Sequence, residues 1–206
     1  MAHVPSPGIV KLRISSFGKT DKENRVAVES YVKELRELVP EYIFGENKDE
    51  LAQIVGELLI EQKKTVGVCE SCTGGYLSHL LTSISGSSSY YNGSVVCYTN
   101  HLKNKLLNVS KDTLAGKGAV SEEVVVEMVR GGLDTLEVDY AIAISGVAGP
   151  NGGTDLKPVG MVCIAVGNRA EIKSFTFQFG NDRSRNISMS AIYALNELRK
   201  MLISTN

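Results

Sequence analysis

Ser71 is the residue with the clearest opportunity for chemistry. It follows the β-branched run Thr65-Val66-Gly67-Val68, and after it come Cys72-Thr73-Gly74-Gly75 and then Tyr76-Leu77-Ser78-His79-Leu80-Leu81, which has helical spacing. A strand that turns on glycines into a helix leaves N–H groups unpaired at the helix start, and these, with the helix dipole, favour a negative group. A hydroxyl at such a corner can act as a nucleophile with oxyanion donors beside it. The same residues also suit a structural role, with Ser71 and Thr73 capping the helix and the glycines making a tight turn. Glu70 adds a carboxylate next to the hydroxyl.

Other reactive side chains are fewer. Cys69 and Cys72 form a C-x-x-C pair, while Cys97 and Cys163 stand singly in strand-like runs. A redox pair belongs at a helix N-terminus, where the thiolate is stabilised, and this location is compatible. Zinc needs two more clustered ligands, and His3, His79 and His101 do not supply them. No metal and no cofactor are expected, and Cys69 fits a buried strand position.

The formal net charge is −1 with no long Lys/Arg run, which argues against direct nucleic-acid binding and against an anionic membrane surface. No apolar run reaches membrane-spanning length, and Met1 to Gly8 lacks the pattern of a secretory signal. The expected location is the cytoplasm, so the sequons at Asn92, Asn108 and Asn186 count as chance matches.

The elements that must position Ser71 follow from periodicity. Gly8 to Ser15 alternates as a half-buried strand, and Val28, Tyr31, Val32, Leu35 and Val39 mark a helix that Pro40 stops. Glu41 to Asn47 is a polar connection. Leu51, Ile54, Val55, Leu58 and Leu59 form one stripe, with Asn47 and Glu50 suited to cap that helix. Ser85 to Ser89 is a loop, Gly93 to Thr99 a strand, and His101 to Leu107 a short helix or turn. Ser121 caps a helix carrying Val124, Val125, Met128 and Val129. Tyr140 to Ser145 is a buried strand; Val159 to Val166 and Ile172 to Phe179 pair antiparallel. A last helix runs from about Asp182 with Ile187, Ala191, Ala194, Leu195, Leu198 and Leu202 on its stripe.

Strands alternating with helices, followed by a hairpin, predict an α/β domain with a mixed sheet and helices on both faces. Ligands in such sheets bind beyond the carboxyl ends of the strands. Three polar corners fall there: Glu70 to Gly75, Tyr98 to Lys103, and Ser145 to Gly153. That coincidence favours the functional reading of Ser71.

With those corners in hand, the chain resembles the CinA C-terminal domain family, whose enzymatic members are nicotinamide-nucleotide amidases. The matching pieces are Glu70-Ser71-Cys72-Thr73-Gly74-Gly75, Ser85 to Ser88, Tyr98-Thr99-Asn100 with Lys103, and Gly118 to Glu122. They continue with Ser145 to Pro150, Gly152-Gly153, Lys157 to Gly160, and Gly180-Asn181-Asp182-Arg183. Together they span about residues 48 to 204. The resemblance implies a three-layer α/β/α sandwich with a mixed, mostly parallel sheet, similar to anticodon-binding domains. It further implies that residues 46–206 form the amidase domain. Residues 1–45, a small α+β piece, are similar to the end of the middle domain of full-length CinA proteins.

The activity implied is hydrolysis of the amide of nicotinamide mononucleotide to nicotinate mononucleotide and ammonia. The family's serine nucleophile and lysine fall on Ser71 and Lys103, and its hydroxyl before Gly-x-Ala-Gly-Pro falls on Ser145. Lys103 can act as the base if burial or a nearby cation lowers its reference pKa of about 10.4. Ser145 is expected to relay a proton and Tyr98 to hold the amine or stack on the pyridine ring. N–H groups of Cys72, Thr73, Gly74 and Gly75 are the oxyanion candidates; Glu70 is expected to orient Lys103 or a ribose hydroxyl. Asn100, Gly146, Gly149, Gly153 and Arg183 complete the substrate site, with the phosphate near the last four. One departure is Asn181, where the family commonly has a Gly-Asp-Arg core. The partner implied is a small nucleotide, with a homo-oligomer, dimer or higher, as the assembly. The rival reading is a non-catalytic nucleotide-binding module linked to competence or DNA damage.

Overall fold

The computed structural model describes the backbone of residues 2–18 and 20–204, with side chains from Pro7 onward in that span. The chain divides into two compact units, Met1–Asp49 and Glu50–Asn206.

In the first unit, β1 (Ala2–Ser6) and β2 (Ile9–Arg13) form an antiparallel hairpin, and α1 (Asp21–Leu38) follows. Thr20 accepts from Glu23 N–H while the Glu23 carboxylate accepts from Thr20 N–H at 3.0 Å, a reciprocal cap that starts the helix. Val39 ends it before Pro40, as the pattern predicts. The expected half-buried strand is instead largely exposed, and its partner β1 was hidden by Pro5. None of the described residues of this unit is buried: the stripe Val28, Val32, Leu35 and Val39 is only half-covered.

The second unit is the α/β domain. It begins with α2 (Leu51–Gln62), β3 (Val66–Glu70) and α3 (Tyr76–Thr82). Next come β4 (Tyr91–Val96), α4 (Asn100–Leu107), α5 (Lys111–Lys117) and α6 (Glu122–Thr135). It closes with β5 (Tyr140–Gly146), β6 (Met161–Gly167), β7 (Ile172–Gln178) and α7 (Arg183–Ser204). The five strands lie in the order β4-β3-β5-β6-β7. The pairs β4/β3 and β3/β5 are parallel, and β6 runs antiparallel to β5 and β7. The sheet is therefore mixed, with one strand opposed to the other four. Helices α2, α3 and α7 pack together in one layer and α4, α5 and α6 in the other.

Strands β3 and β5 are apolar on both faces because both faces are covered, and nearly every residue in them is buried. Close approach of α6 requires two glycines. A Cβ on Gly131 would lie 2.0 Å from the Leu107 carbonyl oxygen, and one on Gly132 would lie 2.5 Å from Cys69 Sγ. One expected cap does not form. Helix α2 starts after Glu50 without a side-chain cap, and Asn47 takes a left-handed conformation (φ 56°) in the connection. Helix α5 was missed in the periodicity because it has only seven residues, about two turns, started by Ser110 accepting from the Asp112 and Thr113 N–H groups.

Candidate active site

Strands β4 and β3 end level and β5 runs two residues further, through Ser145 and Gly146, so their C-terminal corners lie side by side. Glu70 pairs with Val96 on one side and Ile144 on the other. The ladder runs one residue further: Ser71 N–H donates to the Ile144 carbonyl at 3.0 Å and Cys97 N–H to the Glu70 carbonyl at 2.9 Å. This register puts the first residue beyond β3 directly beside the chain leaving β4.

Lys103 reaches that point from α4. Thr99 caps the helix, and Lys103 projects inward one turn later. Its side chain is 1% exposed, and Nζ donates to Ser71 Oγ at 2.8 Å and to the Cys97 carbonyl at 2.9 Å. Both partners are neutral oxygens. Burial therefore dominates and pushes the Lys103 pKa down from its ordinary value, with the neighbouring Cys97 and Cys72 thiols opposing it. Ser71 is itself 7% exposed. A buried hydroxyl within hydrogen-bond reach of a buried amine, whose charged form burial disfavours, is an arrangement that can supply a nucleophile with an adjacent base.

The turn after Ser71 is held from within. Gly74 and Gly75 take positive φ (62° and 102°), and Gly74 N–H donates to the Ser71 carbonyl. Glu70 does not orient Lys103 or face the solvent. Its carboxylate is fully buried and accepts from the N–H groups of Gly75, Leu77 and Ser78 and from the Ser78 hydroxyl. The negative group expected at the start of α3 is thus the chain's own, and Gly75 N–H is taken from the oxyanion candidates. Cys72 and Thr73 remain, and the Thr73 hydroxyl is buried without a hydrogen-bond partner.

The remaining corner residues divide. The Ser145 hydroxyl, 1% exposed, donates to the Ala119 carbonyl at 2.7 Å rather than bonding to Lys103 or Ser71. The amine is held by the carbonyl of Cys97, not by Tyr98, whose side chain is 58% exposed. Tyr98 Oη instead accepts from Arg183 at 3.2 Å, and the same guanidinium donates to the Gly149 carbonyl at 2.9 Å. Arg183 so bridges the second corner to the third. Asn100 is the exposed first residue of α4. Gly146 is glycine for packing, since a Cβ would lie 2.7 Å from Val162. Gly149 has φ 89°, and a Cβ on Gly153 would lie 2.7 Å from Val159 N.

Asn186 was passed over as a chance sequon. It is 1% exposed in the first turn of α7, and its amide donates to the Ala148 and Gly180 carbonyls, stitching the glycine-rich corner to the segment before Arg183. The signal available was its register: Asn186, Ser190 and Ala194 share one buried face of α7. All four cysteines are reduced and buried. Burial pushes the Cys72 thiol up to about 12 and the Cys69 thiol higher still, opposite to what a redox thiolate requires. Among the described residues, no group of three or more His, Cys, Asp or Glu side chains could hold a metal ion, and no helix is long and apolar enough to cross a membrane. The side chain of His3 lies outside the described residues.

The chain is similar in sequence and fold to known proteins. The profile of the CinA C-terminal domain matches residues 48–202. A CinA-like protein of Cytophaga hutchinsonii is 40% identical over 202 residues, covering 98% of this chain and 48% of the relative. A CinA-like protein of Crocosphaera subtropica is 42% identical over 206 residues, covering 98% of this chain and 50% of the relative. The chain therefore spans about half the length of the curated relatives it matches. Among solved structures, the competence/damage inducible protein CihA of Agrobacterium tumefaciens superposes with a TM-score of 0.73 at 33% identity, covering 78% of this chain and 98% of that one. A CinA superfamily protein of Escherichia coli gives a TM-score of 0.70 at 28% identity, covering 79% of this chain and 98% of that one. By profile, by sequence and by fold, the chain belongs to the CinA C-terminal domain family.

Proposed function

We propose that the second unit hydrolyses the carboxamide of nicotinamide mononucleotide through a serine ester, with Lys103 as the base. The observation that carries this reading is the 2.8 Å contact between Lys103 Nζ and Ser71 Oγ, with no carboxylate among the described residues bonded to the amine. A lysine that needed only to be solvated would not be buried against a serine hydroxyl.

As Ser71 Oγ bonds to the amide carbon, its proton passes to Lys103 Nζ, and the carbonyl oxygen takes the negative charge. The Cys72 and Thr73 N–H groups are the donors for that oxygen. Collapse breaks the C–N bond; the nitrogen takes the proton from Lys103 and leaves as ammonia. Water then attacks the ester carbon and gives a proton to Lys103, which returns it to Ser71 as the C–O bond breaks. The products are the nicotinate nucleotide and free enzyme.

Arg183 supports a substrate with an anionic end. Its guanidinium is oriented by two neutral oxygens, the Gly149 carbonyl and the Tyr98 phenol, so a phosphate oxygen can displace either with a charge-assisted bond. Tyr98 supplies an exposed ring for the pyridine to stack on.

The test is ammonia release from nicotinamide mononucleotide by the purified protein and by Ser71→Ala. The reading expects turnover by the first and none above the uncatalysed rate by the second. Equal turnover by both would end the covalent mechanism.

A further inference from the structure

Glu70 is a buried side chain that neither the nucleophile nor the base touches by hydrogen bond. It sits immediately before Ser71 at the end of β3, with no exposed surface. Its Oε2 accepts from Gly75 N–H at 3.0 Å and Leu77 N–H at 3.1 Å. Its Oε1 accepts from Ser78 N–H at 2.9 Å and Ser78 Oγ at 2.5 Å. Four donors thus converge on one carboxylate, and no cation does. A buried carboxylate is costly unless its oxygens are filled by donors, and here both are.

We infer that Glu70 is a positioning residue: it locks the Ser71–Gly75 turn from behind, so that Ser71 Oγ and the Cys72 and Thr73 N–H groups keep the geometry that acyl transfer needs. Apart from Glu70, the turn's backbone is held by Ser71 N–H on the Ile144 carbonyl, Gly74 N–H on the Ser71 carbonyl and Tyr76 N–H on the Thr73 carbonyl, and the Ser71 side chain by Lys103. The first fixes where the turn begins, and the other two backbone bonds close it locally without reaching the strand. Only Glu70 ties its far end, at Gly75 and beyond, back to the strand. The two backbone positions with positive φ, Gly74 and Gly75, lie between those anchors, where the chain is least restrained by side chains. The carboxylate has no surface to offer a ribose hydroxyl, so its effect reaches substrate only through the turn.

This inference rests on the amidase reading for its kinetic arm and on geometry alone for its second arm. Glu70→Gln keeps the shape but replaces one acceptor oxygen with an amide that points donors at donors. In the full chain, kcat for ammonia release from nicotinamide mononucleotide should fall about a hundredfold, the loss expected when a reacting group is displaced by about 1 Å. KM should stay within about threefold, because no substrate contact is lost. In parallel, amide hydrogen exchange at Gly75, Leu77 and Ser78 should quicken at least tenfold, while the β5 amides keep their protection. Ser78→Ala, which removes one donor of four and leaves the fold unstrained, should move both readouts the same way by a smaller factor. Wild-type kcat in Glu70→Gln, or a rise in KM at constant kcat, would overturn the positioning role. If the wild-type protein releases no ammonia, the amidase reading falls, and unchanged exchange at the three amides would then sink the anchoring claim on its own.

Discussion

Two side chains of charged type are buried at the C-terminal end of the sheet, and the molecule treats them in opposite ways. Glu70 is met by four donors, three of them backbone N–H groups. Lys103 is met by two neutral acceptors and by thiols, and burial pushes its pKa down. Both lose hydration, but only the carboxylate is given a full replacement for it. The first surroundings fill the carboxylate oxygens with donors and hold the turn; the second disfavour the charged form of the amine relative to a solvated lysine. On the proposed amidase reading, that difference separates a residue that builds the site from one that moves a proton.

The sharpest way to break the comparison is to remove the group that joins the two regions. Ser71→Ala should abolish ammonia release while far-UV circular dichroism and thermal unfolding stay close to wild type, because one hydroxyl and one hydrogen bond are lost. Next comes the base. Lys103→Ala and Lys103→Arg should both lose roughly 10³-fold or more in kcat, the upper part of the range for a general base. Arginine retains a donor for Ser71 but cannot give up its proton in this pH range. An active Lys103→Arg protein would show that a fixed positive charge, not a base, is what the site needs.

The pH dependence sharpens the same point. Because the folded pKa of Lys103 lies below its unfolded value, the unfolded chain binds more protons between the two, and stability should rise with pH across that window. Below the folded pKa the lysine is protonated in both states and its burial opposes folding in full. Replacing it with Met removes that cost, so Lys103→Met should be inactive yet more stable at neutral pH, by about 1 kcal/mol in chemical denaturation. The acid limb of kcat/KM for the wild type should likewise sit below the ordinary lysine range.

Much of this was legible in the residues. The stripes of α2, α6 and α7, the apolar runs of β3 and β5, and the order of the three corners follow from period and turn chemistry alone. The partners within the corners do not. Glu70 was expected at Lys103 or a ribose hydroxyl, and Tyr98 at the amine or the pyridine ring; neither side chain bonds to Lys103, because adjacency in sequence says nothing about which way a side chain leaves a strand end. The actual partner of the amine is a backbone carbonyl, which carries no sequence signature. Ser145 was expected in a proton relay, but its hydroxyl finds Ala119 from the loop before α6, a contact set by tertiary packing. The hairpin strand β1 was obscured by Pro5 for the same reason: proline is tolerated in an edge strand, and edges are not visible in a linear pattern.

The smallest expected effect concerns Cys69, the other half of the C-x-x-C pair. It lies wholly buried on β3 against Gly132 of α6, and its thiol is shifted upward by burial and by the nearby Cys97 and Glu70. Such a thiol packs; it does not react. Cys69→Ala should therefore cost only the packing of one sulfur, about 1 kcal/mol, and leave kcat within about twofold of wild type. A Gly132→Ala substitution presses on the same contact from the other side, where a Cβ would meet the sulfur at 2.5 Å. It should destabilise by about 1–3 kcal/mol in the wild-type background and by less in Cys69→Ala, where the sulfur is gone. That coupling, measured as a double-mutant cycle in denaturant, would show that Cys69 serves the fit of α6 on the sheet. A loss of ammonia release in Cys69→Ala without loss of stability would instead return the thiol pair to the chemistry.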